Sequence, residues 1–363
     1  MKSATLASDS VTPLRDAEVT KSRVADDMVM IRAAADLTRD LNAPNPQIYW
    51  ADFLTFTILG YAGLFLALAA SQPFAIAGWA IVSIMGLYRA GLFIHELTHI
   101  KHSAVPGFRL AWNVLIGVPL LVPSFMYEGI HNLHHARTRY GTVEDPEYLP
   151  LALMKPWTVP LFVLVAVLGP IALLIRFAIL TPLSAVIPPL RVLVVERFSG
   201  LIINPVFRRR PPEGEARRDW LVLETACSLW AIALLASVFG GLIPLRGFML
   251  FLGVLSGVVV LNQIRTLVAH LWENDGDVMS VTAQFLDSVN VPPPGFLPAL
   301  WAPVGLRYHA LHHLLPGLPY HALGEAHRRL SAALVPESAY HRASYDGLPG
   351  LVVRLMSNTA KGA

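Results

Sequence analysis

The chain has 363 residues, of which 54% are hydrophobic and 15% are charged, and its mean hydropathy is +0.52. Soluble proteins carry about 25% charged residues, so this composition excludes an ordinary soluble domain and favours a membrane protein. One cysteine excludes a disulfide framework and thiolate metal sites, and the net charge of +3 gives no indication of nucleic-acid binding.

Residues 1–45 are polar and of mixed charge, and we interpret them as a cytoplasmic N-terminal tail, helical in part over residues 26–41. Four later segments are apolar over about the 20 residues that a membrane helix needs, namely 53–70, 74–94, 221–239 and 248–269. Short connections with proline or glycine join them in pairs. The sequence therefore predicts an all-α integral membrane fold with four transmembrane helices in two hairpins. This membrane domain covers residues 46–345, and a C-terminal tail covers 346–363.

Two further apolar stretches, 110–126 and 157–195, contain prolines. If the histidine strings described next build one site, an even number of membrane crossings must separate each string from the following one. We therefore expect 110–126 to lie in the interface, or to dip into the bilayer and return. We expect 157–195 to cross twice or not at all, and its prolines and Arg176 favour a broken, interfacial or re-entrant arrangement over two straight spans.

Three short strings hold eight of the 13 histidines. They are His95-Glu96-Leu97-Thr98-His99, His131-Asn132-Leu133-His134-His135 and His309-Ala310-Leu311-His312-His313. On a helix, positions three and four apart share a face, so each string can direct its imidazoles one way. Neutral imidazole binds iron, zinc, copper or nickel, and eight rings are too many for one ion. The sequence therefore predicts a two-metal centre, with His270 at the end of the last span as a ninth candidate ligand.

The distribution of lysine and arginine predicts the orientation. These residues concentrate in the N-terminal tail, around residues 208–218 and in the C-terminal region, whereas the opposite side offers only Arg246. Cytoplasmic loops carry the excess of positive residues. Both termini and all three strings are therefore expected on the cytoplasmic side, where the strings form a histidine-rich cap.

Several residues near the strings are candidates for supporting roles. Buried carboxylates orient metal-binding rings by accepting their N–H groups, and the acidic candidates are Glu96, Glu128, Asp145, Glu147, Asp275, Asp277 and Asp287. His102 continues the face of the first string and is expected beside the ligands or at the surface, while His321, His327 and His341 are not expected to bind metal. Gly86, Ala90 and Gly91 either let a substrate chain pass or serve helix packing. Arg89 and Arg265 are expected to brace or snorkel.

The three strings, in this order and with a long apolar interval before the last, resemble the histidine boxes of the membrane fatty acid desaturase superfamily. The stretches 262–270, 303–308 and 318–321 are similar to bacterial members. The resemblance implies a four-helix membrane fold with two iron ions, held by His95, His99, His131, His134, His135, His270, His309, His312 and His313. It also implies O₂ as co-substrate. Electrons must come from a separate protein, because the chain has no His-Pro-Gly-Gly haem-binding string.

One position departs from the related acyl-CoA desaturases. Those enzymes hold an iron-bound water with an asparagine four residues before the histidine of the last span. Here that position is Thr266, and the nearest asparagine is Asn262, eight residues before His270.

We expect an O₂-dependent fatty acyl desaturase in a bacterial inner membrane, served at its cytoplasmic face by an acidic ferredoxin or a small haem protein. One alternative is a lipid or carotenoid hydroxylase or ketolase, because the same ligands serve oxygen insertion. A remote alternative is an intramembrane zinc protease that uses His95, Glu96 and His99. A haem carrier would leave the adjacent histidine pairs unexplained. A metal transporter would place its ligands near the bilayer midplane, whereas these strings are expected at the cytoplasmic edge or outside it.

Overall fold

The computed structural model describes residues 24–362, and these residues form helices and loops without a β-strand. Five helical segments among them are long and apolar enough to cross a membrane, by length and composition: Pro46–Ala69, Pro73–His99, Thr158–Val186, Gly214–Phe239 and Leu245–Leu267. The sequence analysis predicted four of them. The additional candidate, Thr158–Val186, lies in the stretch that was expected to be broken.

The first helix, α1 (Met28–Leu37), lies in the region assigned to the N-terminal tail. The Asp27 side chain caps it by accepting a hydrogen bond from the Met30 backbone N–H. Met30 and Ala34 are fully buried in a cluster that also contains Ala326 and Leu330. Residues 28–37 are therefore packed against the C-terminal part of the folded chain.

Helices α2 (Pro46–Ala69) and α3 (Pro73–Gly91) pack closely along each other. Glycines make this approach possible, since a Cβ atom on Gly86 would lie 2.6 Å from the backbone nitrogen of Gly60. Gly86 thus serves helix packing, and Ala90 is fully buried. Gly91 differs, because a Cβ atom there would meet nothing within 4 Å.

The chain continues through α4 (Phe93–His99) and α5 (Phe108–Trp112) into a π-helical turn at Asn113–Gly117. The Asn113 side chain then closes a returning loop. Its carbonyl oxygen accepts from the Ser124 backbone N–H at 2.9 Å, and its amide nitrogen donates to the Ser124 hydroxyl at 2.9 Å. The stretch 110–126 therefore folds back on itself before α6 (His131–His134).

Residues 158–186 form one helical run instead of separate broken pieces. It consists of α7 (Thr158–Leu164), a 3₁₀ turn (Val165–Leu168), α8 (Gly169–Leu174), a π-helical segment (Ile175–Leu180) and α9 (Thr181–Val186). Pro170 and Pro182 occupy the first turns of α8 and α9, where a missing N–H group costs little. The prolines therefore change the helix type locally without ending the helix.

Three helices follow: α10 (Pro188–Phe198), α11 (Gly214–Phe239) and α12 (Leu245–Leu267). The run 158–186 contacts α12 where the Ser256 hydroxyl donates to the Val167 carbonyl at 2.8 Å. It then contacts α11, where buried Arg176 pairs with Glu224 at 2.5 Å. α12 packs mainly against α3 and the first half of this run, so the second predicted hairpin is much less closely packed than the first.

The remaining helices cover the histidine end of α3, α4 and α12. They are α13 (Val281–Asp287), α14 (Pro298–Trp301), α15 (His309–Leu314), α16 (Leu323–Ala333) and α17 (Leu348–Gly362). α17 falls in the region assigned to the C-terminal tail, and its Leu351 and Leu355 are buried. These short helices, together with α6, bring the three histidine strings together.

Candidate metal centre

The nine histidines singled out by the sequence lie in two compact clusters. Cluster one contains His95, His99, His131, His135 and His312, and cluster two contains His134, His270, His309 and His313. Within each cluster the candidate ligand nitrogens all lie within 4.8 Å of one another. Four elements supply the rings, namely α4, α6 with the residue after it, the segment after α12, and α15.

Each H-x-x-H-H string divides its rings between the clusters in the same way. His131 and His135 enter cluster one, while His134 enters cluster two. His309 and His313 enter cluster two, while His312 enters cluster one. The first and last histidines of a string are four positions apart and share a helix face, whereas the middle one points to the side. Two such strings therefore build two neighbouring sites.

The ring nitrogens have the spacing of ligands around a shared ion. The Nε2 atoms of His131 and His135 are 3.0 Å apart, and those of His270 and His309 are 3.1 Å apart. Two nitrogens bound about 2.1 Å from one ion at a right angle lie about 3.0 Å apart. The clusters therefore fit transition-metal ions without a large movement of the rings.

Unpartnered nitrogens support the same conclusion. Both ring nitrogens of His95 and the Nε2 of His99 are buried without a hydrogen-bond partner among the described residues, and so is the Nδ1 of His309. Buried polar atoms are normally hydrogen-bonded, because leaving one unpaired costs about 1–3 kcal/mol. A bound cation would satisfy the nitrogens that face into the clusters.

Acidic side chains hydrogen-bond to ring nitrogens that face away from the clusters, one in each cluster. Asp145 is fully buried, and its carboxylate oxygens lie 2.9 and 3.0 Å from Nδ1 of His134. A carboxylate only accepts, so Nδ1 carries the proton and Nε2 keeps a free lone pair. Glu147 does the same for His131, with 2.9 Å between Oε1 and Nδ1. These contacts set the tautomer that binds metal.

A tyrosine connects the third acidic residue to cluster two. The Tyr140 hydroxyl lies 2.8 Å from Nδ1 of His270 and donates to Asp287 Oδ2 at 2.8 Å. Tyr127 has a similar place in cluster one, 2.8 Å from Nδ1 of His131, and it donates to Glu147 at 3.0 Å. Sequence reasoning missed both tyrosines, although Tyr127 lies four residues before His131 and thus one helical turn away.

Burial disfavours the protonated form of the rings outside the candidate spans. It lowers the pKa well below the ordinary value for His131, His135, His270, His309, His312 and His313. For His134 burial acts in the same direction, but the charge and hydrogen bond of Asp145, together with the charges of Glu147 and Asp287, outweigh it and raise the pKa. Burial also raises the pKa of Glu147 to about 7 and that of Asp287 to about 6. A cation in the clusters would favour the charged form of both carboxyls.

Other candidates lie outside this arrangement. Glu96 accepts hydrogen bonds from the Tyr49 hydroxyl and the Tyr320 backbone N–H, and its nearest oxygen is 3.8 Å from His95 Nδ1. Glu128 pairs with Arg109 at 2.6 Å, and the half-exposed His102 lies 3.6 Å from Glu128. Glu128 and His102 contact neither cluster, and Glu96 approaches cluster one only at His95.

The other predicted supporting residues make no hydrogen bond to a clustered ring within residues 24–362. Asp275 and Asp277 are exposed. Thr266 accepts a hydrogen bond from Arg265 at 2.8 Å, and Asn262 lies one turn further into α12. The three histidines not expected to bind metal have other partners: His321 accepts from the Asn45 backbone N–H, His327 lies 2.8 Å from the Tyr340 hydroxyl, and His341 lies 3.3 Å from the Leu334 carbonyl.

Arg265 was expected to brace its helix or to snorkel. It is 9% exposed, and its Nε has no partner among the described residues. Burial is the main cause of the lowered pKa of His270 and His309, and the positive charge of Arg265 is a further cause. An arginine so close to the clusters disfavours protonated rings and thus favours their metal-binding form.

Five apolar helices and two adjoining histidine clusters define a multi-pass membrane protein with a candidate two-metal centre. The chain matches the fatty acid desaturase family over residues 71–345, and it belongs to that family. It is also similar to the ceramide hydroxylase of Caulobacter vibrioides (strain NA1000 / CB15N). The two are 50% identical over 327 residues, which cover 90% of this chain and 93% of that protein. No solved structure matches the chain.

The family and this relative indicate an O₂-dependent oxidoreductase. The relative's name favours oxygen insertion, which the sequence analysis gave as the alternative, over the desaturation that it put first. No described feature supports the zinc protease interpretation. His95 and His99 share their cluster with three further histidines, and Glu96 hydrogen-bonds elsewhere.

Proposed function

We propose that the protein is a membrane-bound di-iron hydroxylase that inserts one oxygen atom from O₂ into a C–H bond of a ceramide-class lipid. The observation that carries this proposal is the pair of buried all-histidine clusters in a chain 50% identical to a ceramide hydroxylase. Insertion replaces C–H by C–OH. It consumes one O₂, two electrons and two protons and releases one water, so an external electron donor is required.

The nine clustered histidines would hold two iron ions, one in each cluster. Cluster one would supply His95, His99, His131, His135 and His312, and cluster two would supply His134, His270, His309 and His313. Bound iron supplies the oxidant for an unactivated C–H bond, which ordinary side chains cannot provide. The chain's own groups fix the ligand geometry. Asp145 and Glu147 hold the protons of His134 and His131 on Nδ1, and Tyr140 links His270 to Asp287.

Burial of the site has a second role in this proposal. His95, His131, His134 and His312 are at most 4% exposed. Such a site excludes bulk water, so reducing equivalents reach the substrate and are not lost to solvent. The lipid would enter from the bilayer between the apolar helices, since the histidine ends of α3 and α12 face the clusters.

The four-span arrangement also belongs to this proposal. The second and third strings share both clusters. The chain must therefore cross the membrane an even number of times between these two strings. Three candidate helices lie between them, so one of the three does not cross. We infer that Thr158–Val186 is embedded without crossing. Its contacts support this, because they reach α12 at Ser256 and Val259 and α11 at Glu224 and Ser228, near the middle of those helices or on their histidine side.

With four crossings, the basic segments 208–218 and both ends of the chain lie on the same side as the histidine cap. The distribution of positive residues makes this the cytoplasmic side. The membrane is the inner membrane if the protein is bacterial like its relative. The electron donor would act there, and an acidic ferredoxin or a small haem protein would complement the basic face.

Lipid analysis tests the reaction. The chain and its His134→Ala variant are expressed in a bacterium that makes ceramide but lacks a ceramide hydroxylase, and lipids are compared by mass spectrometry. The expected product is a ceramide with one additional oxygen, absent with the variant. Ceramides that lose two hydrogens would instead establish a desaturase. An unchanged ceramide pool beside an altered phospholipid or fatty acid pool would overturn the substrate class.

A further inference from the structure

A cavity of about 690 Å³ lies behind the second histidine string, outside the candidate metal centre. Ile130 and Leu133 form part of its wall, and Phe207 and Trp220 form another part. Leu133 projects from the side of α6 opposite His131 and His135, because successive helical residues are rotated by about 100°. A molecule in this cavity would therefore contact the outer side of the second string without reaching the clusters.

The cavity is positively charged. Four arginines line it, Arg139, Arg208, Arg209 and Arg210, against two acidic residues, Glu128 and Glu144. Both carboxylates have cationic partners, since Glu128 pairs with Arg109 and Glu144 lies 3.6 Å from Arg139. Within residues 24–362, Arg208, Arg209 and Arg210 have no carboxylate within 4 Å. These guanidinium groups lack a paired carboxylate, although the charge of Glu128 also reaches Arg209, and the excess of positive charge around the cavity predicts an anionic ligand.

The three arginines differ in how firmly they are held. Arg209 donates to the backbone carbonyls of Phe125 and Glu128, and its guanidinium lies 4.3 Å from the centre of the Trp220 ring. Arg208 donates to the carbonyls of residues 205–207. Arg210 is exposed, and no described residue hydrogen-bonds its side chain. Arg209 thus shapes the wall, while Arg210 is free to bind a ligand.

The position of the cavity and its rim indicate a lipid. Ala216 and Trp220 lie in the first turns of α11, where the chain passes from the basic segment into an apolar candidate span. Trp220 is buried against Arg209 and belongs to the cavity wall, and the change from basic to apolar sequence at this point places the cavity near the headgroup level of a bilayer. The rim carries the exposed apolar side chains Val143 and Val206, 74% and 70% exposed. An apolar rim suits the glycerol and acyl portions of a lipid and contributes nothing to binding a free inorganic anion.

We propose that this cavity binds the phosphate headgroup of an anionic phospholipid, which braces the segment that carries the second histidine string. The ligand is distinct from the proposed substrate, because ceramide has no charged group to pair with three arginines. The proposal does not depend on the reaction that the metal centre performs, and its test does not use activity.

The experiment uses the purified full-length protein in a neutral detergent. Short-chain phosphatidylglycerol or phosphatidylcholine is added, and binding is followed by native mass spectrometry and by the rise in the unfolding temperature. The test variants are Arg210→Gln and the double variant Arg208→Gln/Arg210→Gln. The matched control is Arg217→Gln/Arg218→Gln, which removes two positive charges from the same basic segment outside the cavity lining.

We expect the wild type to bind phosphatidylglycerol at least tenfold more tightly than phosphatidylcholine. The double variant should lose most of this preference, Arg210→Gln part of it, and the control variant less than threefold in affinity. Equal loss in the control would show only a diffuse surface charge and overturn the site. The same affinity for phosphatidylglycerol in the wild type and the double variant would also overturn the site. In that case the arginines would remain available to bind an acidic protein. Inorganic phosphate that stabilises as strongly as the lipid would overturn the headgroup assignment.

Discussion

The imidazole rings of His135 and His313 stack with their centroids 4.2 Å apart and an angle of 21° between their planes, although they belong to different clusters. This contact places the two clusters side by side, with only the thickness of stacked rings between them. Two ions bound in these clusters would therefore be close neighbours, and a change in one cluster would be felt in the other.

Replacement of one ligand in each cluster tests the ligand assignment. His134→Ala and His312→Ala should each abolish turnover and reduce bound iron below two per chain, while the protein still inserts into the membrane. Metal analysis of the purified protein measures this. The control is His102→Ala, which changes a half-exposed histidine outside both clusters and should leave the iron content unchanged. Full activity of either ligand variant would refute the assignment.

The charge of Asp145 should matter for metal affinity. Asp145→Asn keeps the size of the side chain but removes the anion that fixes the Nδ1 proton of His134. Loss of such an outer partner typically weakens metal binding by about 10–100-fold, and we expect a change of that order in competition with an iron chelator. Asp277→Asn, at an exposed position, is the matched control. An unchanged affinity in Asp145→Asn would show that the contact does not tune the site.

Glu96→Gln separates the oxidative reaction from the protease alternative. Glutamine can still accept the hydrogen bonds from Tyr49 and Tyr320, so iron near two per chain and most of the turnover should remain. Metal analysis and lipid profiling of the same preparation check both outcomes. One zinc per chain in the wild type, together with complete inactivation of Glu96→Gln, would instead support a protease with Glu96 as its general base.

The close contact of α2 with α3 predicts that replacing two glycines five positions apart will have very different effects on stability. Gly86→Ala places a Cβ atom 2.6 Å from the Gly60 nitrogen and should destabilise the protein by about 1–3 kcal/mol through overpacking. Gly91→Ala, with open space around its Cβ, should be close to neutral. Thermal unfolding in detergent measures both. Equal unfolding temperatures would mean that the two helices separate at little cost.

The sequence predicted eight of the clustered histidines because helical spacing determines which side chains share a face, and it predicted His270 from its place at the end of the last span. It did not predict how they divide between two sites, since the neighbour of each face depends on how α6 and α15 are packed. The acidic candidates could not be ranked for the same reason. Asp145, Glu147 and Asp287 lie behind the rings, whereas Glu96, despite standing next to His95, hydrogen-bonds to α2 and to the segment after α15.

The stretch 158–186 shows the limit of reading prolines as helix breakers. Each proline removes one backbone N–H, but a 3₁₀ turn before Pro170 and a π-helical segment before Pro182 absorb the change. The sequence contained no signal for this, nor for the buried pairing of Arg176 with Glu224 across 48 positions. Composition alone therefore identified the apolar stretch but not its single helical run.

Each cluster gathers parts of the chain that are synthesised far apart in time. His135 and His312 lie 177 positions from each other, yet their Nε2 atoms are 3.1 Å apart. Neither pocket for an ion exists until ribosomal synthesis has passed α15. Loading of the proposed iron ions would thus be a late maturation event, and by clamping such distant segments it would close long loops of the polypeptide and favour the finished form over partly assembled ones.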